Sequence, residues 1–274
     1  MQIRYYSKII APIIFLAATF LIPKYSFQMD ISTFLTIVAL IFAILVGFFI
    51  AAATSNYLRL QTLIAQEDAT LISIYNLCKI LQPASFDQIT QAIDTYTAHS
   101  LDFEIKDYVE NTEKEFDVLI DLLDKIEPKD PTKTYLISNL MDEINQMLEQ
   151  RQESMLVSRQ IVSRDHWVIL ILLAIVLNML LLSFRNTQFI TNLLISIMMT
   201  ASYLILILIY EVDSNRFLEE KLSYGGTQRV FKVIGTLKYF PEEAIKNKRI
   251  KKPQEKHRIG IKTNSDTREI QVVE

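Results

Sequence analysis

The chain has little that would punctuate or cross-link it: five glycines, seven prolines and a single cysteine, Cys78, in 274 residues. One cysteine excludes an internal disulfide framework and a thiolate metal cluster. Few glycines and prolines mean few turns, and favour long helices. Catalytic signatures are missing too. There is no phosphate loop, no Gly-x-Ser-x-Gly turn and no His-Glu-x-x-His pair. The histidines His99, His166 and His257 follow no ligand spacing. The acidic stretches show no calcium-loop spacing with its glycine turn. The expectation is therefore no enzyme, no metal and no cofactor.

Charge is what four stretches lack. Residues 9–23, 32–54, 167–184 and 189–210 contain no Asp, Glu, Lys, Arg or His. Half of all residues are hydrophobic and the mean hydropathy is +0.23, although 22% are charged. Apolar and charged residues are thus segregated into blocks. A helix of roughly 20 apolar residues crosses a bilayer core of about 30 Å. The second and fourth blocks meet that length, the third is close to it, and the first is short and holds Pro12. A cleavable leader, charged at Arg4 and Lys8, is the competing reading of the first block. No small-x-small cleavage site precedes the second block, so a tight hairpin is the simpler account. Trp167 and Tyr210 stand at span ends, where aromatic residues favour the headgroup layer.

Orientation follows from Lys and Arg near the span ends. The short hairpin loops hold only Lys24 and Arg185, whereas Arg4, Lys8, Arg59, Arg151, Arg159, Arg164, Arg216 and Lys221 lie at the opposite ends. Both termini and residues 55–166 are expected in the cytoplasm, with the chain integral to the inner membrane. The expected fold is an all-α membrane protein of four spans in two hairpins. The domains are 1–54, an acidic helical domain 55–166, the second hairpin 167–211, and a segment 212–274 ending in a mobile basic tail.

Between Asn56 and His166 there are 20 Asp and Glu against 10 Lys and Arg. The second span continues outward as a helix with Leu60, Leu63, Ile64, Leu71, Ile74 and Leu77 at helical spacing, and Pro83 stops it. Ser85 and Gln88 fit a capping box. A following helix buries Ile89, Ile93, Tyr96 and Leu101, and another Phe116, Leu119, Ile120 and Leu123. Pro128 and Pro131 mark a turn with Asp130 as its cap. From there one helix, carrying Leu140, Ile144, Met147, Leu148, Met155, Ile161 and Val162, is expected to run unbroken into the third span. Beyond the fourth span, Val230, Phe231, Val233 and Ile234 form an amphipathic helix ended by Gly235. Lys246 to Lys262 is basic and suits either solubility or an anionic leaflet, where each cation contributes about 1 kcal/mol. It lacks the interleaved aromatics of a nucleic-acid surface, and no nucleic-acid partner is expected.

The second span is the informative one. Ala39, Ala43, Gly47, Ala51 and Ser55 recur every fourth residue. Such small stripes allow close helix packing in lipid. Phe42, Leu45 and Phe49, with Asn56 at the cytoplasmic edge, form another face. They either face lipid or line a narrow apolar constriction that gates ions by dewetting. Asn178, Asn192, Thr191, Ser196, Thr200 and Ser202 are the polar side chains of the second hairpin, and suit hydrogen bonds between helices.

This layout resembles the bestrophin-like group of bacterial membrane proteins. The local likeness lies in Gly47 to Leu60, then Gln66, Glu67, Asp68 and Ala69, and Leu71 to Tyr75. Asp213 to Phe217 is similar to that group's post-membrane motif, without its usual Pro-Phe pair. The resemblance implies a homo-oligomer, a pentamer as in the bestrophin anion channels, with the second helix at a pore for small anions. Phe42, Leu45, Phe49 and Asn56 would then line the pore, and the small stripe would pack. A membrane-anchored scaffold or sensor, whose helical domain binds a protein partner, is the alternative.

Overall fold

The structure, a computed structural model, describes residues 2–22, 31–103, 107–127, 130–158, 162–186, 188–213, 223–246, 250, 253–264 and 267–273. Lys24, Pro128, Arg159, Ile161, Arg216 and Lys221, each given a role above, lie outside them. Among the described residues, eight α-helices precede the C-terminal segment: α1 (Gln2–Leu21), α2 (Ile31–Leu81), α3 (Phe86–Ser100), α4 (Tyr108–Asn111), α5 (Glu113–Leu123), α6 (Tyr135–Val157), α7 (Arg164–Ser183) and α8 (Phe189–Asp213). Then come α9 (Ser223–Ile234), β1 (Tyr239–Pro241), α10 (Glu242–Lys246), β2 (His257–Asn264) and β3 (Thr267–Val273). The chain divides into two compact units, residues 1–55 with 160–214, and residues 56–159 with 215–274.

In the first unit, the 31–55 part of α2, α7 and α8 bury a shared apolar core. Val38, Phe42, Val46 and Phe49 meet Leu170, Ala174, Leu177 and Leu181 of α7 and Ile195 and Met199 of α8. Ser202 Oγ donates to Asn178 Oδ1 at 3.2 Å, a polar link between α8 and α7. Helix α1 joins through Phe15, edge-on to Tyr203, and Phe20, stacked on Phe189. By length and composition α2, α7 and α8 can each cross a membrane, and the apolar part of α1, Ile10–Leu21, is shorter.

The second unit packs the 56–81 part of α2 with α3, α5, α6, α9 and β1. Its core includes Leu71, Ile74, Ile89, Ile93, Tyr96, Leu119, Leu123, Leu140, Met147 and Phe231. Helix α2 ends as the sequence indicates: Gln82 adopts φ 50°, and Pro83 follows. The left-handed turn redirects the chain, and proline cannot continue the ladder. Gly235, at φ 81°, ends α9 in the same way. Asp130 Oδ1 accepts from the Thr132 amide at 3.0 Å and caps a 3-10 turn, Pro131–Lys133.

Three expectations are corrected. Ser85 makes no side-chain cap bond, so the capping box is not formed. The helix leading to the third span is not continuous. α6 ends at Val157, and Ser163 is extended and caps α7 by accepting from the His166 amide. Serine before an apolar run is a stronger local start signal than the continuing apolar pattern. The fold is also not all-α. β1 pairs parallel to β2, and β2 antiparallel to β3, where the sequence suggested a mobile basic tail. The cations there are mixed with β-formers: His257, Arg258, Ile259 and Ile261 all sit on β2.

Candidate functional site

Two features stand apart from ordinary packing: the outward face of α2 in the first unit, and a buried polar cluster in the second. The α2 face is sorted by helical geometry. Phe42 and Phe49 are 5% and 4% exposed and belong to the core against α7. The Phe49 ring also lies 5.0 Å from the His166 ring. Leu45 and Asn56 are half-buried, and Asn56 Nδ2 reaches the Val157 carbonyl at 3.4 Å. The side opposite Phe42 and Phe49 is open. Leu40, Ile44 and Phe48, four residues apart, are 59%, 62% and 64% exposed. Beside them Ala43, Gly47, Ala51 and Ser55 are exposed and Ala39 half-buried. A Cβ added at Gly47 would meet nothing within 4 Å. The α2 surface available to a neighbour therefore includes the small stripe and the Leu40–Phe48 line, with Phe34, Ile37 and Ile41 also exposed. A groove of about 780 Å³ runs along α7 and α8, between Trp167 and Tyr210 at one end and Met179 and Leu182 at the other.

In the second unit Glu67 of α2 is 5% exposed and Arg151 of α6 is 6% exposed. The carboxylate accepts from the hydroxyl of Tyr96, and from that of Tyr108 at 2.7 Å. Arg151 donates to Tyr96 Oη at 2.5 Å, to Thr112 Oγ1 at 3.2 Å and to the Val109 carbonyl at 2.8 Å. Its guanidinium also stacks 4.2 Å from the centre of the Phe116 ring. The anion and the cation thus communicate through a tyrosine hydroxyl that accepts from one and donates to the other. Burial, and then the charge of Glu67, push the Tyr96 and Tyr108 hydroxyls well above the usual phenol range. They remain neutral donors.

Asp68, the next residue, accepts from Thr227 Oγ1 of α9 at 3.0 Å. Burial raises its carboxyl to about 7; the Thr227 bond opposes the shift and the Glu67 charge adds to it. Cys78 is buried, and its thiol is pushed up to about 12 by that burial, so it is not a nucleophile. Among the described residues no three His, Cys, Asp or Glu side chains are placed to hold a metal ion.

In the sequence Glu67 and Asp68 stand out only as part of a local likeness, and Arg151 only as an orienting charge. A signal existed. Glu67 lies four residues after Leu63 and four before Leu71, within the apolar stripe of α2. Arg151 lies four after Met147 in the stripe of α6. A charged residue on a buried register must find a partner.

Residues 19–216 match the bestrophin-like domain. Two crystal structures, each described as a membrane protein carrying one alanine substitution, share the fold. One has a TM-score of 0.63 at 10% identity, covering 84% of this chain and 98% of the other. The second has a TM-score of 0.59 at 12% identity, covering 85% and 98%. No curated protein matches the sequence.

Proposed function

Because the chain belongs to the bestrophin-like family, we propose that this integral membrane protein is one subunit of an oligomeric channel for small anions, with α2 lining the conduit. The observation that carries the reading is the uncharged, apolar and open line of Leu40, Ile44 and Phe48. A side chain that lines a conduit between subunits must be exposed in each one. On that ground the proposed lining passes from Phe42 and Phe49, which hold α2 against α7, to Leu40, Ile44 and Phe48. Leu45 and Asn56 stay on the protomer side. The exposed Ala43, Gly47 and Ala51 would seat the adjacent subunit, since small side chains let membrane helices approach closely. A ring of Leu, Ile and Phe side chains forms a constriction that closes by dewetting and opens on slight widening.

In this reading α1 is the fourth crossing. Its support is the buried Arg185, which bonds carbonyls at the C-terminal end of α1, so that this end and the α7–α8 turn lie on one membrane face. The excess of Lys and Arg at the other span ends supports a cytoplasmic side for both termini and residues 55–166. The subunit number, five in the bestrophin channels that the chain resembles, is part of the proposal. So is the absence of enzymatic activity.

The test is ion flux into liposomes carrying the purified protein, under a chloride gradient and then a potassium gradient. The expected result is chloride-selective flux that Phe48→Ala raises several-fold and Phe49→Ala changes only in step with the amount of folded oligomer. Flux through a monodisperse oligomer that is indifferent to Leu40→Ala, Ile44→Ala and Phe48→Ala alike would reject the lining.

A further inference from the structure

Asp68 adjoins the buried cluster but takes no part in the Glu67–Tyr96–Arg151 relay. It lies beyond the apolar stretch 32–54 of α2, in the second unit. Its carboxylate faces the first turns of α9. Thr227 Oγ1 donates to Oδ2 at 3.0 Å, and a Cβ on Gly226 would come within 3.1 Å of the same oxygen. Only a glycine lets the carboxyl approach the α9 backbone so closely without displacement. Behind it lies a cavity of about 40 Å³, lined also by Glu67, Tyr96, Thr97, Ser100 and Tyr108.

Among the described residues, the ionisable groups around Asp68 are few. Its own helix supplies Glu67, an anion; α3 supplies Tyr96 and α4 supplies Tyr108, both neutral. α6 supplies Arg151, which bonds Tyr96, Thr112 and Val109 rather than Asp68. α9 faces it with Gly226 and Thr227, which do not ionise. Arg151 thus reaches Glu67 only through the Tyr96 hydroxyl, and it does not bond Asp68.

We propose that Asp68 is a proton-operated latch for the C-terminal segment: protonated, it holds the start of α9 on α2, and ionised, it loosens it. A neutral carboxyl satisfies Thr227 by donating or accepting. An ionised one must stay largely buried beside the Glu67 anion, a cost that release of α9 into solvent removes. The direction follows. When α9 is released, the carboxyl returns to its ordinary value of 3.8; docked, it titrates at about 7. The docked state therefore binds more protons between those values, and docking weakens as pH rises from about 4 to 7. The device does not depend on α2 being a conduit.

The experiment is hydrogen exchange of the full chain in detergent at pH 5.5 and pH 8.0, corrected for intrinsic exchange. Amides of residues 226–234 are read against those of α5 as the internal reference. With the two titration values above, α9 protection should fall roughly 30-fold between these pH values, with α5 unchanged. Asp68→Asn keeps the shape and stays neutral, so its α9 should be protected equally at both. Thr227→Val serves as a second variant: it removes the hydroxyl that favours the anion and should move the fall to higher pH. Wild-type α9 protection that is the same at both pH values would overturn the latch. So would a fall in Asp68→Asn equal to that of the wild type, or a fall shared by α5.

Discussion

Arg185 Nη1 donates to the carbonyl oxygen of Ile22 at 2.7 Å, across 163 residues of sequence. The same atom reaches the carbonyls of Thr19 at 3.1 Å and Ala18 at 3.3 Å, while Nε holds the Leu182 carbonyl at 2.8 Å. The last carbonyls of a helix have no partner within it, and they form its negative end. One guanidinium that is 6% exposed answers both needs at the end of α1. Arg185→Gln should cost about 3 kcal/mol of stability, because buried carbonyls lose charge-assisted bonds. Arg185→Lys should recover part of this, since an ammonium reaches fewer of these acceptors. Thermal unfolding in detergent, with protease cleavage within α1 as the local probe, checks both. A Gln variant that keeps α1 protected would remove the main support for α1 as a membrane-inserted helix.

Burial separates phenylalanines of α2 that the sequence leaves alike. Phe42→Ala and Phe49→Ala each open a hole against α7, and should cost about 3–5 kcal/mol. Phe48→Ala removes a side chain that is 64% exposed in the protomer. Its stability as a monomer should change by less than about 1 kcal/mol. Urea unfolding of detergent-solubilised monomer, with the three variants side by side, reads the difference. A Phe48 variant as unstable as the Phe49 one would mean that the outward face of α2 is misassigned.

Much of this was legible because helical periodicity records burial. The stripe Ile89, Ile93 and Tyr96, and the stripe Leu140, Ile144 and Met147, are buried as their spacing indicates. Periodicity could not say which side of α2 meets α7. Every side chain from Leu35 to Ala53 except Thr36 is apolar or glycine, so no polar face marks the outside. The choice rests on shape complementarity, which spacing does not encode. The C-terminal sheet was hidden for another reason. β2 follows the cationic run of Lys251, Lys252 and Lys256, and is held by contacts distant in sequence. Arg258 forms a two-pronged pair with Asp94 at 2.6 and 2.7 Å. The Gln228 amide donates to the Tyr239 carbonyl at 2.7 Å and accepts from the Tyr239 amide at 3.2 Å.

Gly260 on β2 provides a test of that sheet. A Cβ there would overlap the Tyr239 hydroxyl and lie 2.7 Å from Cζ. The Tyr239 hydroxyl is itself fixed by Asp102 Oδ1 at 2.6 Å, and the ring is 1% exposed. The ring cannot swing away cheaply. Gly260→Ala should cost about 2–3 kcal/mol through overpacking, measured by urea unfolding. Tyr239→Ala in the same chain should relieve the clash, so that the double variant is less unstable than the sum of the single ones. Strict additivity would show that the tyrosine is not the obstacle.

A relay runs from Arg151 through Tyr96 to Glu67. Tyr96 Oη accepts from Arg151, so its proton is directed at Glu67. Removing the cation has two effects: the tyrosine loses its orientation, and a buried carboxylate loses the positive charge that the relay brings to it. Arg151→Met, which keeps the length of the stem against Phe116, should cost about 3 kcal/mol or more. Glu67→Gln alone should cost less, because an amide can still accept from one tyrosine. In the double variant Arg151→Met with Glu67→Gln neither charge of the pair is left uncompensated. Its loss of stability should fall short of the summed single losses by more than about 1 kcal/mol, the coupling expected within one polar network. Chemical unfolding of the full chain in detergent, followed by the fluorescence of α6 labelled at the exposed Leu156, measures the cycle. Tyr96→Phe distinguishes a relay from two independent charges. If the hydroxyl transmits the interaction, the coupling between positions 67 and 151 falls when the cycle is repeated in the Tyr96→Phe variant. If it persists unchanged there, the two charges interact through space and the tyrosine is only a packing residue.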